Sequence, residues 1–127
     1  YAAVIPKFID ALQNNKQPVI YGDGEQTRDF NYVDNVVFAN LLASECKNIA
    51  GKVFNIAGGN SITIKQLLSV IIKIIKKNIQ PRYETQREGD IQHSLADIQM
   101  AEKYLNYKCN VNIYQGLEST VKYFLES

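Results

Sequence analysis

"PVIYGDGEQTRDFNYVDNVVFANLLA", running from Pro18 to Ala43, decides the class of fold. It opens on "PVIY", a short apolar run that reads as a strand and stops at the Gly22-Asp23-Gly24 turn. "RDFNY", Arg28 to Tyr32, reads as a second extended piece. Asp34 then stands where a cap belongs, ahead of a helix through "NVVFANLLASE" in which Val37, Phe38, Leu41 and Leu42 share one face. Strand, turn, strand and helix in direct succession mark an α/β unit. One residue is out of place for an ordinary surface turn. Arg28 sits among two glycines and the acids Asp23, Glu25 and Asp29. A planar guanidinium there can hold a phosphate in a two-pronged grip, with Gly22 and Gly24 shaping its turn.

Upstream, Ile5, Phe8, Ile9 and Leu12 follow helical spacing, with Pro6 in the first turn where its missing N–H costs little. Downstream, "KVFNIAGG" (Lys52–Gly59) reads as a buried strand ending in two glycines. Thr63 and Gln66 have capping-box spacing for a helix carrying Ile64, Leu67, Leu68, Ile71, Ile72 and Ile75. "PRYET" (Pro81–Thr85) is a further strand candidate, and "QREGDIQHS" (Gln86–Ser94) is polar and loop-like. Asp97 can cap a short helix over "IQMAEKYL", and Ile113, Leu117, Val121, Phe124 and Leu125 mark a last helix. The expected order is α-β-β-α-β-α-β-α-α, a small mixed α/β domain over residues 1–127. Its strands are too few for a complete sheet.

At 127 residues the chain has room for one domain with a real core. Fourteen basic residues against 13 acidic ones leave a net charge of +1, so any anion site must be local rather than a broad basic face. Cys46 and Cys109 lie far apart and form no metal-ligand spacing, as expected of reduced thiols in a cytoplasmic protein. The longest apolar stretch, "LLSVIIKIIKK", is broken by Lys73, Lys76 and Lys77 and is too short to cross a bilayer. The chain opens at Tyr1 directly in a helix-like segment, which is expected of a piece of a longer protein.

No set of reacting groups emerges. His93 is the lone histidine and has no Ser or Cys partner in view; it reads as a surface or hydrogen-bonding residue. There is no GxxxxGK[ST] motif and no Gly-rich strand-to-helix turn for a dinucleotide. Tyr104 and Lys108 have Tyr-x-x-x-Lys spacing but straddle a helix end, and are set aside. Binding is better supported. Arg28 in "TRDF" and Arg87 in "REGD" occupy two glycine-bearing loops and can clamp a diphosphate, while Asp90 can accept from a ribose diol. Taken singly, each arginine reads first as a solvated charge or an ion pair with Asp29, Glu88 or Asp90.

Three stretches in order, "PVIYGDGEQTRDFNYVDNVVFANLLA", "VFNIAGGNSITIKQLL" and "REGDIQHSLADIQMAEKYLNY", resemble the C-terminal half of extended short-chain dehydrogenase/reductase enzymes acting on nucleotide sugars. "YAAVIPKFI" and "REGDIQHSLADI" look closest to the UDP-N-acetylglucosamine 4-epimerase group. The resemblance implies a nucleotide-sugar-binding part of an NAD-dependent UDP-hexose 4-epimerase. The alternatives are the same part of a dehydratase, decarboxylase or uronate epimerase, or a non-catalytic nucleotide-binding module. It implies that Arg28 and Arg87 hold the diphosphate and Asp90 the ribose. Val19, Ile20 and Tyr21 would border the base, Asn60 would face the nucleotide, and Ser94 would lie beside the C2 substituent of the sugar. It places NAD and the catalytic tyrosine–lysine pair on an N-terminal Rossmann domain, and implies a homodimer of the intact enzyme. The piece alone would be inactive, and with its sheet-completing strand uncovered it would self-associate.

Overall fold

The computed structural model describes residues 3–126; the helix-like opening read at Tyr1 and Ala2 lies outside the described residues, as does Ser127. Helical spacing at the start becomes helix α1, Val4–Gln13, which buries Phe8, Ile9 and Leu12. Helix α3, Ile64–Ile75, forms as its capping box dictates. Thr63 Oγ1 accepts from Gln66 N at 3.0 Å and Gln66 Oε1 accepts from Thr63 N at 2.9 Å. Its Leu67, Leu68 and Ile71 pack with α1, with Ile20, and with Leu117 and Val121 of helix α5, Ile113–Glu126. These aliphatic faces make the main core. A second cluster gathers Ala39, Ala101, Leu105 and Tyr107 between helix α2, Val33–Glu45, and helix α4, Gln99–Leu105.

The strands are short and pair in twos. Strand β1, Val19–Tyr21, runs parallel to β4, Arg82–Glu84, with Ile20 opposite Tyr83. Strand β2, Thr27–Arg28, runs antiparallel to β3, Ile62–Thr63. The second extended piece therefore falls at Thr27–Arg28, a residue ahead of "RDFNY". The element order is the expected one, α-β-β-α-β-α-β-α-α, but its third strand is a different segment. "KVFNIAGG" is not a buried strand: it is irregular and Val53 is 85% exposed. Apolar, β-branched sequence favours extension, yet a strand also needs a neighbouring backbone to share its hydrogen bonds. Here side chains from distant segments supply the polar ties instead, such as Asn55 Nδ2 donating to Asp97 O at 3.2 Å.

Two expectations about α2 are also corrected. Asp34 is not its cap; the helix starts at Val33, and Asp34 lies inside the first turn, where its charge suits the positive end of the helix. Nor do Val37 and Leu41 face inward, being 53% and 58% exposed. Asn35 and Ala39 are the buried residues. The cause is the backbone of 110–111, which needs polar partners. Asn35 Oδ1 accepts from Asn110 N and Val111 N at 3.1 and 3.0 Å, and Asn35 Nδ2 donates to Val111 O at 2.9 Å. In α5, Phe124 and Leu125 likewise turn toward solvent. Gly116 is buried there against Tyr32, and a Cβ on it would come within 2.9 Å of Tyr32 Cβ. Asp97 is not the cap of α4 either: Ile98 holds that position, and Asp97, one residue before it, still accepts from Gln99 N at 2.9 Å through Oδ1.

Candidate functional site

The site begins where β1 ends. Tyr21 leads into the Gly22-Asp23-Gly24 turn, and Asp23 Oδ1 accepts from Glu25 N at 2.9 Å. Gly24 has φ +78°, and a Cβ on it would meet Lys65 Cγ at 2.7 Å, so both conformation and space demand glycine. The turn returns Gln26 to its own strand: Gln26 Nε2 donates to Tyr21 O at 2.7 Å and the residue is 6% exposed. Strand β2 then holds the "REGD" loop from 60 residues away. Thr27 N donates to Gln92 O at 2.9 Å, Ser94 N donates to Thr27 O at 3.1 Å, and Thr27 Oγ1 meets His93 Nδ1 at 3.1 Å. A turn closed by Asp90 N donating to Arg87 O at 3.2 Å completes the loop.

These ties bring two arginines and one carboxylate into one cleft. Arg28 Nη2 donates to Asp90 Oδ1 at 2.6 Å, and Arg28 Nη1 donates to Thr27 O at 2.7 Å. The Arg87 guanidinium carbon lies 3.9 Å from the centre of the Tyr21 ring, a cation–π stack. Val19, Ile20, Tyr21, Arg28, Arg87 and Asp90 all line a cleft of about 330 Å³, together with Gln26, Phe30 and Ile64. Asn60 and Ser94 are exposed and do not line it. Two guanidinium groups against one carboxylate leave a positive, partly apolar hollow, suited to an anionic ligand with a flat or hydrophobic portion.

Two residues escaped the sequence reading. Gln26 sits in a polar loop and gives no sign of being buried. Asp29 read as a partner for Arg28, yet its carboxylate accepts from Gly58 N at 2.9 Å and Gly59 N at 3.1 Å. Nothing local to either segment signals that contact.

In the second core cluster, Tyr107 Oη donates to Ala57 O at 2.8 Å. Burial, then the neighbouring Cys109 and Asp29, push its loss of a proton above the ordinary 10.0. Burial also raises the Cys109 thiol above 9.0. Both groups hold their protons at neutral pH and are poor acids or nucleophiles there. Cys46 and Cys109 are free thiols. Among the described residues no group of three or more His, Cys, Asp or Glu could hold a metal ion, and no helix is long and apolar enough to cross a membrane.

A mixed α/β partial domain of the extended short-chain dehydrogenase/reductase type, with its two-arginine cleft, defines a class, and the chain is similar to members of the NAD dependent epimerase/dehydratase family. The family model matches residues 1–57. Among particular relatives, the putative UDP-glucose 4-epimerase of Methanocaldococcus jannaschii is 36% identical over 96% of this chain and 39% of its own length. The solved UDP-N-acetylglucosamine 4-epimerase of Methanobrevibacter ruminantium M1, in complex with UDP-N-acetylmuramic acid, is 44% identical with a TM-score of 0.90, over 99% of this chain and 40% of its own. The UDP-glucuronic acid 4-epimerase of Bacillus cereus, in complex with UDP-glucuronic acid and NAD, is 32% identical with a TM-score of 0.90, over 98% of this chain and 40% of its own. Related decarboxylases and dehydratases match as well. The chain spans about 40% of the length of these relatives and corresponds to their C-terminal part.

Proposed function

We propose that this chain is the nucleotide-sugar-binding part of an NAD-dependent UDP-hexose 4-epimerase. The carrying observation is the convergence of Arg28, Arg87, Asp90 and the end of β1 in one cleft. In this reading the arginines grip the diphosphate and Asp90 the ribose. Val19, Ile20 and Tyr21 border the base, and Asn60, outside the cleft itself, would meet the nucleotide where it extends beyond it. Anchoring the nucleotide leaves the hexose free to turn over during reaction, so binding energy remote from the reacting carbon holds the geometry.

The residues present do not fit NAD itself. Gly22 and Gly24 lead into β2, not into a helix N-terminus, and the Gly59 amide is taken by Asp29. We assign NAD and the proton-transferring groups to a separate Rossmann domain of a dimeric intact enzyme. The purified chain is then expected neither to bind NAD nor to turn over a UDP-sugar; measurable turnover overturns that assignment.

The clamp is tested in the intact enzyme by UDP binding. Arg28→Ala and Arg87→Ala should each weaken it by about 1.5–3 kcal/mol, the scale of a charge-assisted hydrogen bond. Arg28→Lys should not restore it, because an ammonium lacks the planar fork. Unchanged affinity in either alanine variant removes that arginine from the clamp.

For the sugar, the small side chain of Ser94 favours an N-acetylated hexose, UDP-GlcNAc with UDP-GalNAc. Ser94→Tyr should cut kcat/KM for that pair and spare the plain hexoses, because steric exclusion falls on the larger substrate alone. Equal loss for both pairs, or no loss, takes Ser94 out of this role.

A further inference from the structure

We propose that the groove between α3 and β4 is a second small-molecule site, separate from the arginine cleft, for a ligand that joins one anionic group to a flat apolar body. The groove encloses about 320 Å³. Ile20, Leu68, Ile72 and Pro81 give it apolar surface. Helix α3 adds Lys65, Ser69 and Lys73 at i, i+4 and i+8, a spacing that sets them along one helix face. The chain leading into β4 and the strand itself add Asn78, Gln80 and Tyr83. No carboxylate is among the lining residues. Cations and neutral donors without an acid suit an anion, and the apolar surface suits a ring. The volume is at the small end for a ligand pocket, and the groove lacks the two guanidinium groups of the cleft, so it is not a second place for the same nucleotide.

The polar groups are unequally occupied. Lys65 Nζ is already paired with Glu25 Oε1 at 2.7 Å. Lys73 has no ion pair among the described residues, and the hydroxyls of Ser69 and Tyr83 have no hydrogen bond among them. Gln80 Nε2 donates to Asn78 Oδ1 at 3.3 Å, and Asn78 Nδ2 remains a donor without a partner. The anion is assigned to Lys73, with Ser69 one turn away, because an anion at Lys65 would sit beside the Glu25 carboxylate. The flat part of the ligand then lies on Leu68, Ile72 and Pro81. Lys73 is also a cation in the last turn of α3, which suits the negative end of the helix. That role asks nothing of the groove, and a lysine serving it alone would be indifferent to a small ligand.

The test is titration of the full-length protein with phenyl phosphate, with UDP present at saturation so that the arginine cleft is filled. The wild type should bind this probe, and inorganic phosphate, which lacks the ring, should bind more weakly. Lys73→Gln and Ser69→Glu change exposed positions of α3. Each should weaken phenyl phosphate at least about tenfold, as for a lost charge-assisted bond, and leave UDP affinity at its wild-type value. No probe binding beside UDP, equal binding of inorganic phosphate, or wild-type probe affinity in either folded variant overturns the site. Failure of the wild type to bind UDP overturns the cleft reading instead, and the two variants still decide the groove, because neither alters a residue of the cleft. Thermal melting reports the folding of each variant, so a misfolded one leaves the other to decide.

Discussion

At the scale of single residues, Tyr107 shows how one buried hydroxyl holds an irregular segment of the chain. It is 1% exposed, and its hydroxyl donates to Ala57 O just before the Gly58–Gly59 turn. Tyr107→Phe should cost about 0.5–1.5 kcal/mol at neutral pH, the ordinary net worth of a hydrogen bond. The cost should also depend on pH. Burial raises the folded-state pKa above the ordinary 10.0. The tyrosine's contribution is therefore fully present below pH 10.0 and is lost as pH rises through the folded value. Denaturant melts at neutral pH and above pH 10 should show wild type and variant converging as the solution becomes alkaline. A gap that stays constant would assign the effect to packing alone. Arg28 and Arg87 could be singled out in the sequence as charges in glycine-bearing loops, and the ion pair open to Arg28 with Asp90 is present; that the two loops meet in one cleft was given by the resemblance alone. The parts played by Asp29 and Gln26 could not, because their partners lie in other segments or in a turn whose direction the sequence does not specify.

At the scale of elements, the Asp29 carboxylate welds the start of the α2 approach to the Gly58–Gly59 turn through two backbone amides. Asp29→Ala leaves both donors without their partner and should destabilise the fold by about 1.5–3 kcal/mol or more, since bonds to a charged group are lost. Asp29→Asn keeps one acceptor and should fall between the two. If chemical denaturation shows Asp29→Ala within about 0.5 kcal/mol of wild type, as for an ordinary surface change, the weld is not structural. Periodicity revealed α1, α3 and α5, whose inward residues are aliphatic and regularly spaced. It misjudged α2 because the inward face is set by Asn35, a polar residue drawn in by backbone groups of 110–111. It misjudged "KVFNIAGG" for a related reason: composition reports that a segment favours extension, but not whether another strand lies beside it.

At the scale of the whole molecule, those two misreadings coincide with the uncovered apolar surface. Val33, Val37 and Leu41 expose one side of α2, and Val53 exposes the irregular segment beyond it. Such surface is a candidate for cover by the proposed Rossmann domain, and by itself it promotes association. The isolated chain should therefore sediment as a concentration-dependent mixture, and Val37→Lys with Leu41→Lys should shift it toward monomer; a wild-type monomer at high concentration refutes this. The parallel pairing of β1 with β4 carries a consequence of another kind, in time. Val19 meets Arg82 and Tyr21 meets Glu84 across a stretch of chain that contains all of α2 and α3. Contacts between residues so distant in the chain carry a loop-closure cost that nearby helical contacts do not. Helices α1 and α3 can form locally, but the cleft acquires its second arginine only when β4 docks and the "REGD" loop follows. In pulse-labelling during refolding, the Gly22 and Arg82 amides, which donate to Glu84 O and Pro18 O, should gain protection after those of α3, making ligand-binding competence one of the last properties the chain attains.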